Sequence, residues 1–263
     1  MNNKLSMAAL ALAAGLLWQD PTLAAEPAAG DPPARLILVG DSTMATRSGY
    51  GDALCARLKP GVACLNLARG GRSSGSFRAE GLWNQVLELL RDGRPGRSYV
   101  LIQFGHNDQP GKPGRSTDLV HEFPVNMARY VAEVKALDAQ PVLLTPLTRR
   151  SFKQGQLHDD LAPWAAVSRQ VAAEAKVPLL DLHALSRAAV QAMGEQEADT
   201  LAMAPKPEAL AISADPNRQE PQGQAKSAFD RTHVGDKGAQ LFSGMVAREL
   251  QNLVPGLAGQ FKP

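Results

Sequence analysis

The chain has little that would tie it to a nucleic acid, a metal ion or a membrane interior. Its 28 Lys and Arg nearly balance 26 Asp and Glu, a formal charge of +2 over 263 residues. It therefore lacks the cationic excess on which binding by phosphate neutralisation depends. Cysteine is scarce, at two residues, and there is no Cys-x-x-Cys, His-Glu-x-x-His or other metal-ligand spacing. The Gly-Lys-[Ser/Thr] of a phosphate-binding loop is missing as well, and there is no internal repeat. Past the N-terminus no stretch is long and apolar enough to cross a bilayer. What remains is an ordinary globular composition, 44% hydrophobic, with length enough for one good core.

The first 25 residues stand apart. Lys4 supplies a short positive region, residues 7–17 are an apolar run of Ala, Leu, Met and Gly, and Thr22-Leu23-Ala24-Ala25 offers small residues for cleavage. This is the pattern of a secretory signal peptide, with cleavage expected after Ala24 or Ala25 and no stable membrane association afterwards. A periplasmic or secreted location follows. An oxidising compartment would permit Cys55 and Cys64 to bridge across Lys59-Pro60-Gly61, and two buried free thiols are the alternative.

Apolar runs alternate with amphipathic segments from residue 34 to about 254. Strands are expected at 35–39, 62–66, 99–104, 141–144 and 177–180, and helices at 50–58, 81–91, 123–137, 161–176, 182–193 and 237–250. Five strands alternating with helices predict a three-layer α/β/α sandwich on a five-stranded parallel sheet with right-handed crossovers. Residues 194–227 break the rhythm. They are rich in Ala, Pro, Glu and Gln, contain no aromatic residue, and are expected to form a surface insertion, with a short helix possible at 195–203.

Candidate chemistry collects at the strand ends. Leu36-Ile37-Leu38-Val39 runs into Gly40-Asp41-Ser42-Thr43-Met44, which sets a hydroxyl just past a buried strand. A serine nucleophile needs a base, and Asp230-Arg231-Thr232-His233 offers an imidazole with a carboxylate three residues before it. Asp181 and His183 are the rival pair, although Asp181 is also well placed to cap the following helix. His121, beside Glu122, and His158, beside Asp159-Asp160, read as solvated. Oxyanion donors can come from Ala68-Arg69-Gly70-Gly71-Arg72-Ser73 after the second strand and from Gly105-His106-Asn107-Asp108 after the third. Each motif alone is also ordinary turn chemistry; their combination is not.

Taken together the four blocks resemble those of the SGNH hydrolases, the GDSL-type esterases, which supply Ser, Gly, Asn and His in that order. Gly-Asp-Ser-Thr-Met, Ala-Arg-Gly-Gly-Arg-Ser, Phe-Gly-His-Asn-Asp and Asp-Arg-Thr-His followed by Lys-Gly-Ala are most similar to the blocks of rhamnogalacturonan acetylesterases. Thr-Met stands where the literal GDSL string has Leu. The resemblance covers about residues 36–250, leaving out most of 194–227. It implies a flavodoxin-like fold and a serine carboxylic-ester hydrolase that needs neither metal nor organic cofactor. It assigns Ser42 as nucleophile, His233 as base and Asp230 as its orienting carboxylate, with the Ser42 N–H, the Gly71 N–H and the Asn107 side chain as oxyanion donors. Asp41 and Asp108 would hold loop geometry.

The substrate expected on this resemblance is an acetylated plant polysaccharide, pectic rhamnogalacturonan first, acted on by a monomer. A lipase or thioesterase on the same fold, or an inactive carbohydrate-binding relative, are the other readings. The strand-end loops carry arginines and few aliphatics, which favours a polar or acidic ligand over an acyl groove. Arg72, His106, Arg149 and Arg150 are accordingly the expected substrate contacts.

Overall fold

The computed structural model describes residues 34–92, 97–207 and 229–262. The expected signal peptide and residues 208–227 of the expected insertion lie outside the described residues. Five strands form one parallel sheet: β1 (Arg35–Gly40), β2 (Ala63–Asn66), β3 (Ser98–Gln103), β4 (Gln140–Leu144) and, after a short antiparallel hairpin of β5 (Phe152–Lys153) and β6 (Gln156–Leu157), β7 (Leu179–Leu180). Their order is β2-β1-β3-β4-β7, so the first strand lies inside the sheet and the chain leaves it towards opposite edges. The expected parallel sandwich is the fold that forms.

The two-residue period of the strands sorts their side chains between two layers. Leu36, Leu38, Tyr99, Leu101, Val142 and Leu144 face one side, where they meet Leu54 of α1 (Gly51–Ala56), Leu182 and Val190 of α6 (Leu182–Asp199), and Phe242, Val246 and Leu250 of α7 (Asp236–Leu253). Ile37, Val39, Val100, Ile102 and Leu143 face the other. They pack against Trp83 and Val86 of α3 (Leu82–Leu90), the Phe123, Met127, Tyr130 and Val134 stripe of α4 (Phe123–Lys135), and Trp164 and Val171 of α5 (Ala162–Ala175). A one-residue slip of β1 would exchange these two sets, so burial on both faces fixes the register in which Arg35 pairs with Ser98 and Gly40 with Gln103.

Several elements differ from expectation. Gly194, at φ 74° and ψ 170°, interrupts α6, and helix resumes to Asp199 within the stretch read as a possible short helix, but Ala198 and Leu201 are buried in the first core layer. The beginning of the expected surface insertion is therefore part of the packed domain. The hairpin β5–β6 turns through Gln154 and Gly155, both at positive φ, a two-residue geometry too short to show as a hydrophobic pattern. A four-residue helix, α2 (Ser76–Ala79), precedes α3, and beyond residue 254 the chain still packs, with Leu257 and Phe261 buried and Phe261 bridged to Leu58. Cys55 of α1 and Cys64 of β2 are joined by a disulfide, with Cα atoms 5.5 Å apart. Closing so short a loop restricts the unfolded chain by about 2–3 kcal/mol.

Candidate active site

The carboxyl ends of β1, β2 and β3 meet at the point where strand order reverses, the edge at which open α/β sheets hold their ligands. At the end of β1 the backbone runs so close to β3 that a Cβ on Gly40 would come within 2.7 Å of the Gln103 carbonyl oxygen. Only glycine fits there, and the chain then turns sharply. Asp41 makes the turn: its Oδ1 accepts from the Thr43 N–H and hydroxyl, both at 2.8 Å, while its main-chain oxygen accepts from the N–H groups of Met44 and Ala45. Beneath the turn, the Tyr50 hydroxyl donates to Gln103 Oε1 at 2.6 Å, and Gln103 Nε2 donates to Thr43 Oγ1 at 2.7 Å. Asp41, Thr43, Tyr50 and Gln103 are all fully buried, so this polar chain braces the turn from inside while Ser42 projects to the surface edge.

The base comes from the loop before α7. His233 Nε2 lies 2.7 Å from Ser42 Oγ, and His233 Nδ1 lies 2.7 Å from Asp230 Oδ2. The other carboxylate oxygen of Asp230 accepts from the main-chain N–H groups of Thr232 at 2.8 Å and His233 at 3.0 Å. Burial pushes the Asp230 carboxyl up, but these bonds from His233 and Thr232 outweigh it and hold the group below its ordinary value. Ser48 ties the two loops together, donating its hydroxyl to the Ser42 carbonyl at 2.8 Å and accepting the Val234 N–H on its own carbonyl at 3.0 Å.

The two oxyanion candidates are anchored to the same edge. After β2 the Arg69 N–H donates to the Gly40 carbonyl at 2.9 Å, and a Cβ on Gly70 would lie 3.7 Å from Cβ of Ser42. Gly71 has φ 78°, a left-handed conformation that a side chain would strain. After β3, Asn107 Nδ2 donates one hydrogen to the Arg72 carbonyl at 3.0 Å, which orients the amide and leaves its second hydrogen without a partner among the described residues. Asp108 staples these loops. Its Oδ1 accepts from the Ser74 N–H and hydroxyl and from the Thr117 hydroxyl, and its Oδ2 accepts from the Gly105 N–H. Burial nevertheless pushes its carboxyl up to about 6, against the pull of these bonds.

The rival pair does not assemble. Asp181 caps α6 through the Ala184 N–H at 3.3 Å and forms an ion pair with Arg169 at 2.8 Å, while the His183 ring meets Asp159 instead, Nε2 to Oδ1 at 2.8 Å.

The expected substrate contacts need correction. Arg150, which was expected to face the crevice, is fully buried, and its guanidinium donates to main-chain carbonyls of the Asp230–His233 turn. Burial pushes it down to about 10, against the pull of Asp230 and Asp199. His106 is 2% exposed. Its Nδ1 lies 3.3 Å from Asp41 Oδ2, off the hydrogen-bond line, so both ring nitrogens lack hydrogen bonds within the described residues. Burial pushes its titration down, Asp41 pulls it up, and Arg149 and Lys112 push it down further, for a net lowering. Arg149 is paired with Asp160 and reaches Thr232 Oγ1 at 3.2 Å; Arg72 is half exposed and paired with Glu80 at 2.8 Å. Arg115 has no side-chain hydrogen bond or ion pair among the described residues and lies beside the site. It is exposed, with Nη1 3.5 Å from where a Cβ on Gly71 would stand. Nothing in the order of motifs distinguishes it, because the loop that carries it, between β3 and α4, has no hydrophobic rhythm.

The geometry is that of a hydroxyl, an imidazole and a carboxylate in line, flanked by candidate oxyanion donors from two other strand ends. The family model of the GDSL-like lipase/acylhydrolase family matches residues 38–241, and the chain belongs to that family of serine ester hydrolases. Among its relatives is the rhamnogalacturonan acetylesterase RhgT of Bacillus subtilis (strain 168), 31% identical over 84% of this chain and 91% of RhgT. Another is the same organism's "Probable rhamnogalacturonan acetylesterase YesY", 29% identical over 83% of this chain and 93% of YesY. Solved structures share the fold. YxiM of Bacillus subtilis superposes with a TM-score of 0.63 at 23% identity over 87% of this chain, which spans 58% of that structure. An acetyl-xylooligosaccharide esterase from Geobacillus gives 0.54 at 18% identity, over 84% of this chain and 95% of that one. The chain is thus an SGNH-type ester hydrolase homologous to rhamnogalacturonan acetylesterases.

Proposed function

We propose that this enzyme is an exported carbohydrate O-acetylesterase that removes acetyl groups from an acidic plant polysaccharide of the rhamnogalacturonan class. The observation that carries the reading is the relay of two 2.7 Å contacts from Ser42 Oγ through His233 to Asp230. Ser42 attacks the acetyl carbonyl as His233 Nε2 takes its proton, and Asp230 holds the ring and stabilises the imidazolium. The Ser42 and Gly71 N–H groups and the free hydrogen of the Asn107 amide stabilise the tetrahedral oxyanion. Collapse breaks the bond to the sugar oxygen, which takes the proton from His233 and leaves as a hydroxyl. Water then repeats the sequence on the acetyl-enzyme and releases acetate.

The names of RhgT and YesY support acetyl as the acyl group and rhamnogalacturonan as the polymer. Arg115 supports an acidic ligand, because an unpaired guanidinium beside Gly71 can meet a sugar carboxylate through both of its forked nitrogens. The N-terminal apolar segment and the Cys55–Cys64 bridge support export to an oxidising compartment. The test is acetate release from acetylated rhamnogalacturonan, acetylated xylan and an aryl acetate, with Ser42→Ala as control. Rhamnogalacturonan should be the best polymer. Its kcat/KM should fall with salt, since exposed charges are screened over ~10 Å at 0.1 M, while the uncharged aryl acetate should barely respond. Arg115→Ala should remove that difference. Faster release from xylan would overturn the assignment of the polymer.

A further inference from the structure

Arg150 is a cation in an unusual place. It follows β4, it is fully buried, and it makes no ion pair among the described residues. Removing a guanidinium from water without a carboxylate against it is costly unless its donors are well used. Here Nη1, Nη2 and the main-chain N–H converge on one short turn, while the buried Nε has no hydrogen bond among the described residues. Arg150 Nη2 donates to the carbonyls of His233 at 2.7 Å and Asp230 at 3.1 Å, Nη1 donates to that of Thr232 at 3.4 Å, and its main-chain N–H donates to that of Arg231 at 2.9 Å. Four consecutive carbonyls are thus gathered by one residue about 80 positions earlier in the chain.

We infer that Arg150 is a positioning residue for the reaction: by holding the carbonyls of Asp230, Arg231, Thr232 and His233 it fixes the turn on which the catalytic carboxylate and imidazole are mounted. With the carbonyls turned inward to Arg150, the N–H groups of Thr232 and His233 face the Asp230 carboxylate and occupy its Oδ1. That leaves Oδ2 for His233 Nδ1, and the ring then presents Nε2 to Ser42. Lysine cannot replace this, since a single ammonium lacks the planar fork that spans several acceptors. The neighbouring Arg149 adds a weaker hold through the Thr232 hydroxyl at 3.2 Å.

The inference rests on the Ser42–His233–Asp230 relay, and the experiment separates the two. Arg150→Met removes fork and charge at similar length, and Arg150→Lys keeps the charge alone. On an aryl acetate, Arg150→Met should lower kcat ~10²-fold, the order expected for misplacing a catalytic group by about 1 Å, with KM changed less than about threefold. Arg150→Lys should fall in between. In a His233→Ala background, Arg150→Met should cost less than about threefold, because a residue that acts through His233 has nothing left to position. The low-field proton resonance of the His233–Asp230 hydrogen bond should broaden or vanish in both Arg150 variants. Wild-type kcat in Arg150→Met, or an equal loss with and without His233, overturns the inference. Should Arg150→Met fail to fold, the same split and cycle on Arg150→Lys decide it. Activity retained by Ser42→Ala would instead sink the relay itself.

Discussion

Two hydrogen-bonded histidine–carboxylate pairs lie among the described residues, and the same groups are set differently in each. In the first, His233 gives Nδ1 to Asp230 and keeps Nε2 for the Ser42 hydroxyl; its side chain is 32% exposed and that of Asp230 44%. In the second, His183 gives Nε2 to Asp159, and the other oxygen of that carboxylate is held by Arg187 at 3.1 Å. The His183 side chain is only 5% exposed. The lesson is that a pair of this kind becomes a base by what its far nitrogen meets and by which nitrogen the carboxylate takes. The second pair is a buried clasp between the segment before α5 and the start of α6.

The largest test of this contrast is the ranking of the two histidines. His233→Ala should approach the loss seen in Ser42→Ala, ~10³ to 10⁶ in kcat, with circular dichroism unchanged. His183→Ala should keep near wild-type kcat and instead melt earlier, by the ~0.5–1.5 kcal/mol of one lost hydrogen bond, since Asp159 keeps Arg187. The reverse ranking would refute the assignment of the base. Next in size, Asn107→Ala should lower kcat about 10²- to 10³-fold with little change in KM, since the charge it meets develops only in the transition state. A large rise in KM with kcat intact would make Asn107 a substrate contact.

A finer test sets carboxylates against each other by pH. Asp230 is held below its ordinary value, so its contribution to stability is present above about pH 4 and is lost as pH falls through the lower, folded value. Asp108, pushed up to about 6, has the opposite sign: its contribution is complete below about pH 4 and disappears as pH rises through 6. Denaturant melts between pH 3 and 7 on Asp230→Asn and Asp108→Asn should therefore lose slope in different windows, below pH 4 for the first and between about 4 and 6 for the second. Loss of slope in the same window would show that the two carboxyls titrate alike. The smallest effect concerns neither pair. Cys55→Ala with Cys64→Ala should lower stability by about 2–3 kcal/mol and leave kcat unchanged, measured by urea melts and aryl-acetate turnover.

Much of this was legible in the residues. Leu36–Val39 and Tyr99–Ile102 are uninterrupted apolar runs, and strands buried on both faces have to read that way, so the sheet and the strand ends that carry Ser42 and Asn107 followed. Asp230 and His233 are three apart, so a single turn could bring them together without any knowledge of the fold. Arg150 was misread because a sequence shows charge and not direction. Arg149 and Arg150 are adjacent, yet one reaches Asp160 near the surface and the other is buried under residues eighty positions away. The bracing of the nucleophile turn was hidden for the same reason, since Tyr50 and Gln103 stand 53 residues apart. Gly194 was read as the end of a helix, which it is locally, but the burial of Ala198 and Leu201 is decided by tertiary packing.

The contact between Ser42 and His233 spans 191 residues. The proposed nucleophile follows β1 and the proposed base lies in the loop before α7, with the proposed oxyanion loops made in between. During synthesis the hydroxyl, the glycine and the asparagine exist long before any group that can activate them. Catalytic competence is therefore a property of the finished chain: a product arrested before Asp230 would hold a serine with no base and hydrolyse nothing. On the proposed assignment, an esterase ordered in this way would stay silent until the segment that carries His233 docks.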